Sequence, residues 1–91
     1  MLLVRWRSEA LDDLLGITTY IAQFDEMAAL KVQARIEASV MSLVEHPFLG
    51  RPGRRAGTRE LLAHPNYLVI YAVGPDTIEV TSVVHTRREY P

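Results

Sequence analysis

A run of apolar residues, Tyr67-Leu68-Val69-Ile70-Tyr71-Ala72-Val73, lies between two turn signals, His64-Pro65-Asn66 and Gly74-Pro75-Asp76. An extended chain sends alternate side chains to opposite faces, so a strand that is apolar throughout must be covered on both sides. This segment therefore belongs in the middle of a sheet. The short, turn-rich links on either side predict antiparallel hairpins with a strand from Thr58 to Ala63 and another from Thr77 to Val84. Simple alternation along the last strand puts Ile78, Val80, Ser82 and Val84 on one face and Glu79, Thr81, Val83 and His85 on the other.

The N-terminal half has helical periodicity. Leu2 to Trp6 reads as a short first strand, followed by Ser8 as an expected N-cap and by Glu9, Asp12 and Asp13 near the positive end of a helix dipole. Ala10, Leu14, Ile17, Ile21 and Phe24 then make one apolar stripe, predicting a helix from about Glu9 to Phe24. Asp25 caps a second helix with an inner face of Ala29, Val32, Ile36, Val40 and Leu43, and Pro47 disfavours helical geometry at His46 and ends it. So short a link between the two predicts a helical hairpin. Residues 48–57 are rich in Gly and Arg and read as an irregular basic loop. The order β-α-α-β-β-β is that of an α+β domain, a helical hairpin packed on one face of a small, largely antiparallel sheet. With 91 residues, positions 1–91 form one domain.

Several classes are excluded by composition. Residues are 48% hydrophobic and 23% charged, which is globular, and no apolar run reaches the roughly 20 residues of a membrane span. Met1 to Arg7 is too short and too quickly charged for a secretory signal, so a cytoplasmic location is expected. The chain has no Cys, and its three His stand without ligand spacing; neither a metal nor a cofactor is expected. The net charge of −1 is unevenly spread: residues 1–46 carry −3, whereas residues 47–91 carry +2 with six Arg. Any anion-facing surface is thus expected in the C-terminal half.

The candidate chemistry gathers at two strand ends. The last strand runs into His85-Thr86-Arg87-Arg88-Glu89-Tyr90-Pro91, while Gly57-Thr58-Arg59-Glu60-Leu61 opens another strand with an Arg. His85 suits proton transfer or target contact, and equally a hydrogen-bonded place at the sheet rim. His46 and His64 precede Pro at element boundaries, where a structural role is expected. Tyr67 and Tyr71 share one face of an apolar strand and are expected to pack. Arg51, Arg54 and Arg55 of the basic loop read either as a solvated connection or as an anion-contacting arm.

His46-Pro47, Gly50-Arg51, the Gly-Thr-Arg-Glu-Leu strand, His64-Pro65-Asn66-Tyr67 leading to Ile70-Tyr71, and the terminal Val-Val-His-Thr-Arg-Arg-Glu-Tyr-Pro resemble a RelE/ParE-family toxin of a bacterial type II toxin–antitoxin system. The resemblance covers essentially the whole chain and is nearer to ParE-like plasmid-stabilisation toxins than to RelE. It implies a growth inhibitor neutralised by a small cognate antitoxin, whose helix-forming tail would cover apolar grooves beside the helical hairpin. RelE-like members cut mRNA on the ribosome; ParE-like members inhibit DNA gyrase.

Metal-free RNA cleavage needs proton-transfer groups and cations that hold the phosphate as charge builds. Of the RelE cations, the resemblance places the first strand Lys at Arg59 and the second at Leu61. The Arg beside the central Tyr falls at Leu68, and the last-strand Arg falls near Thr86 or Arg87, with Tyr90 standing for the terminal Tyr. Leucine cannot hold phosphate, and a slightly acidic chain is poorly suited to ribosomal RNA. The expected function is therefore a gyrase-directed toxin that grips its target with Arg59, His85, Arg87, Arg88 and Tyr90. The alternative is a metal-independent mRNA endonuclease with Arg59, His85 and Tyr90 as catalysts, acting on ribosome-bound mRNA. A third reading is a chain that retains only antitoxin affinity.

Overall fold

The computed structural model describes residues 2–87. Its elements are β1 (Leu3–Trp6), α1 (Ser8–Ala22), α2 (Glu26–Ser42), β2 (Arg51–Pro52), β3 (Arg59–His64), β4 (Tyr67–Val73) and β5 (Thr77–His85). They build a five-stranded sheet in the order β1-β5-β4-β3-β2, with the two helices packed against one face. The apolar β4 lies at the centre, as its two-sided pattern requires. β1 runs parallel to β5, with Leu3 opposite Thr77 and Trp6 opposite Val80, and all other neighbours are antiparallel. The basic segment is less irregular than expected, because Arg51 and Pro52 pair with Glu60 and Arg59 as a short edge strand. An edge tolerates Pro, which has no N–H to give to a ladder.

Each helix follows its predicted stripe with local corrections. Ser8 is not the N-cap: Arg7 occupies that position in an extended conformation, its side chain makes no capping bond, and Ser8 is already helical. The cause is the sheet, since Arg7 N–H donates to Val80 O at 2.9 Å and keeps the chain extended until the helix starts. Phe24 leaves the inner stripe and is 75% exposed. The chain tightens after Ala22, with Gln23 and Phe24 donating to carbonyls three residues back, which rotates Phe24 outward to meet Tyr20 edge-on at 5.5 Å. Asp25 caps α2 as expected, accepting from Ala28 N–H at 3.0 Å. That helix ends at Ser42, before Pro47 could act, as Leu43 and Val44 donate to carbonyls three residues back.

The core lies between the helices and the sheet. Ala10 and Leu14 of α1, Ile36 and Val40 of α2 and Leu43 just after it meet Leu61, Ala63, Val69, Tyr71, Ile78, Val80 and Val83 from the strands. Burying each larger aliphatic side chain contributes roughly 1.5–3 kcal/mol. Val83 belongs to this set because β5 is bulged: Ile70 pairs with Ser82 but Tyr71 pairs with Val80, which leaves Thr81 unpaired. The extra residue shifts the alternation by one. Val83 therefore joins Ile78 and Val80, while Ser82 and Val84, expected there, turn to the open face. Two bonds hold the bulge: Thr81 Oγ1 donates to Ile70 O at 3.1 Å, and Val83 N–H donates to Asp13 Oδ2 at 2.9 Å.

Removing the Asp13 acceptor leaves a half-buried N–H unsatisfied, at a cost of about 1–2 kcal/mol. Asp13→Ala is expected to lower Tm by about 5–10 °C in a domain of this size, with a smaller loss for Asp13→Asn, as measured by thermal unfolding.

Candidate functional site

The bulge carries His85 to the helix side of the sheet, directly opposite Tyr67. Tyr67 stands between two imidazoles, with ring centroids 5.4 Å from His64 and 5.5 Å from His85. Both His rings are fixed by the same device. Asn66 N–H donates to His64 Nδ1 at 3.0 Å, and Arg87 N–H donates to His85 Nδ1 at 3.1 Å. With Nδ1 accepting, neutral His85 carries its proton on Nε2 and can act as a donor. Thr86 N–H donates to Asn66 O at 2.8 Å and ties the end of β5 to the β3–β4 turn. Together with α1, this end encloses an open cleft of about 700 Å³, lined among others by Asp12, Asp13, Gly16, Tyr20, Tyr67 and His85.

Arg59 lies at the other end of β4, opposite Tyr71. Its guanidinium serves the chain's own backbone: Nε donates to Gly50 O at 2.9 Å, an Nη donates to Phe48 O at 3.3 Å, and the group sits 5.3 Å above the Phe48 ring centroid. The buried Tyr71 hydroxyl completes the clamp, accepting from Gly50 N–H at 3.0 Å and donating to Pro47 O at 2.9 Å. A Cβ on residue 50 would lie 2.6 Å from Glu60 O and 2.8 Å from the Tyr71 hydroxyl, so the close approach needs glycine.

The predicted site residues thus separate into two groups. Tyr71 and Tyr67 are four residues apart on β4, roughly 13 Å at strand rise, and Arg59 and His85 flank those opposite ends. His85 and Arg87 are brought together; Arg88 and Tyr90 lie outside the described residues. Leu61 and Leu68 are both buried, Leu61 in the helix-side core and Leu68 paired with Leu62 across the open face. The basic segment is organised by a residue the sequence did not flag: the Glu60 side chain is only 2% exposed, with Arg51 at 3.0 Å and Arg54 at 3.9 Å. Arg55 is exposed in the β2–β3 turn, where its carbonyl accepts from Thr58. Among the described residues, no three His, Asp or Glu side chains converge as a metal site requires, and no helix is long and apolar enough to cross a membrane.

Asp13, Gly16 and Tyr20, which the sequence did not single out as candidates, line the same cleft. Their signal was the α1 stripe beside the core-facing one, visible in the sequence but uninformative until the bulge placed His85 across from it.

Two predictions test this geometry. Arg59→Ala is expected to cost about 1–3 kcal/mol of stability and to speed amide hydrogen exchange around residues 48–50, since it strips charge-assisted bonds from their carbonyls. His64 has its pKa lowered, first by partial burial and second by the charge of Arg35. The unfolded chain therefore binds this proton more readily. The contribution is fully present above the ordinary value near 6.5 and is lost as pH falls through the lower folded value. Protonation at Nδ1 also breaks the Asn66 bond. Tm is expected to fall on acidification from pH 7 to pH 5, and His64→Gln to flatten that slope.

The sequence and the fold have clear relatives. Residues 4–90 match the family described as ParE toxin of type II toxin-antitoxin system, parDE. The Y4kP protein of Sinorhizobium fredii is 42% identical over 89 residues, spanning 97% of this chain and 92% of that protein. Toxin RelE2 of Caulobacter vibrioides is 35% identical over 85 residues, spanning 93% and 96%. Among solved structures, a chain of the chromosomal ParDE system from P. aeruginosa superposes with a TM-score of 0.81 at 25% identity, over 93% of this chain and 96% of that one. A chain of the RelBE2 toxin-antitoxin complex from Mycobacterium tuberculosis shares the fold, with a TM-score of 0.68 at 22% identity over 92% and 96%. The chain belongs to the ParE toxin family of type II toxin–antitoxin systems.

Proposed function

We propose that this toxin acts in the cytoplasm by binding a protein target, DNA gyrase, through the His85 end of β5 and the residues that follow, Arg87, Arg88 and Tyr90. The observation that carries this reading is the separation of Arg59 from His85. A phosphate held for cleavage needs cations and proton-transfer groups around one point, and here Arg59 is spent on Phe48 and Gly50 carbonyls at the far end of β4. Buried leucines at positions 61 and 68 and a net charge of −1 favour the same reading. Purified gyrase is expected to lose supercoiling activity on addition of the protein, and induced cells to filament with a DNA-damage response. Normal supercoiling at saturating protein would remove the proposal.

One observation favours the ribonuclease alternative. His85 presents Nε2 at the wall of a cleft, the ring nitrogen through which an imidazole exchanges a proton with a substrate oxygen. That reading requires new cuts in ribosome-bound mRNA during growth arrest, and intact transcripts would dismiss it.

The antitoxin is expected on the outer side of the helical hairpin. Leu11 and Leu15 of α1 and Met27 and Leu30 of α2 are exposed there, and a groove runs between the helices past Ala22, Ala29 and Leu30. An amphipathic helix can cover such a surface. Co-purification with the product of the adjacent gene tests this.

A further inference from the structure

Gly16 stands near the middle of α1, where glycine is unfavourable relative to alanine because it has more backbone freedom to lose. Nothing among the described residues accounts for it. A Cβ built at this position meets no atom within 4 Å, and its φ is not in the left-handed region. The residue is exposed and lines the cleft between α1 and the His85 end of β5. A bare stretch of helix facing a cleft is what close approach by another molecule requires.

The lining indicates the chemistry of that molecule. Asp12 is exposed one turn before Gly16, and Tyr20, 64% exposed, stands one turn after it in a T-shaped contact with Phe24. Asp13 has one oxygen committed to Val83. Among the described residues the cleft wall includes neither Lys nor Arg. A carboxylate at one end and an exposed aromatic ring at the other suit a long cationic side chain lying across Gly16. On α1, this stripe adjoins Leu11 and Leu15, part of the surface assigned above to the antitoxin.

We infer that the antitoxin extends from the helical hairpin into this cleft and lays an Arg or Lys side chain over Gly16, with the charge at Asp12 and the stem along Tyr20. This rests on the antitoxin reading of the hairpin surface.

The test is calorimetric titration of the full-length protein with its cognate antitoxin, alongside thermal unfolding of the free protein. Gly16→Ala is expected to raise the free protein's Tm by about 3–6 °C, because it removes the helix penalty and meets no atom. Affinity is expected to fall about tenfold or more, because the new methyl group intrudes on the docked side chain. Asp12→Asn should weaken binding about two- to fivefold at low salt, with the difference shrinking as salt rises. A Gly16→Ala protein that is more stable and binds normally would overturn the inference and leave the antitoxin reading intact. Unchanged affinity in Asp12→Asn would overturn the cationic occupant. A lowered Tm in Gly16→Ala would mean that a contact within the free protein already covers Gly16, and would overturn the inference. Failure of the wild-type protein to bind the antitoxin would overturn both.

Discussion

Asp13 and Val83 are seventy residues apart, and the hydrogen bond between them determines which side of the sheet the chain's end faces. A bulge needs a partner for the backbone group it displaces, and a carboxylate on a packed helix supplies one at 2.9 Å without a neighbouring strand. Once Thr81 is looped out, Val83 fills the core and His85 is delivered against Tyr67. Without the bulge, His85 would point to the open face, away from α1. The cleft beside α1, the tautomer of His85 and the lock on the β3–β4 turn all depend on this one-residue change of phase.

Most of the fold could be read from patterns that a single element imposes on itself. The two-sided apolar run gave β4 its central place, and of the α2 stripe Ala29, Ile36, Val40 and Leu43 are buried as its spacing required, with Val32 half-buried. The misreadings share a physical origin in contacts made elsewhere in the chain. Ser8 lost its capping role because Arg7 is held by β5, and Phe24 left the core because a tight link to Asp25 rotated it outward. The bulge was invisible because Val80, Val83 and Val84 let β5 alternate acceptably in either phase.

The candidate site was less legible than the fold. Arg59 and Glu60 are neighbours at a strand start, and the strand sends them to different tasks. Arg59 holds the loop after α2, while Glu60 is buried on the other face beneath Arg51 and Arg54. A buried carboxylate is tolerable only when paired, so part of the positive charge in the basic segment serves to solvate Glu60. Counting arginines in the sequence overstated the cationic surface open to a partner. The histidines show the opposite case: chain position alone gave no reason for His64 and His85 to meet, and the sheet register places one on each side of Tyr67.

The parallel pairing of β1 with β5 also bears on the order of events during synthesis. Leu3 finds its partner only at Thr77, and the intervening strands that build the sheet are made after both helices. Closing so long a loop comes late in folding, since its entropic cost must be met before the pairing rewards it. A ribosome-bound fragment that lacks residues 77–85 has no place for β1, no partner for Asp13 and no His85 end. The sheet, and the His85 end that it carries, is therefore completed only once β5 has been translated.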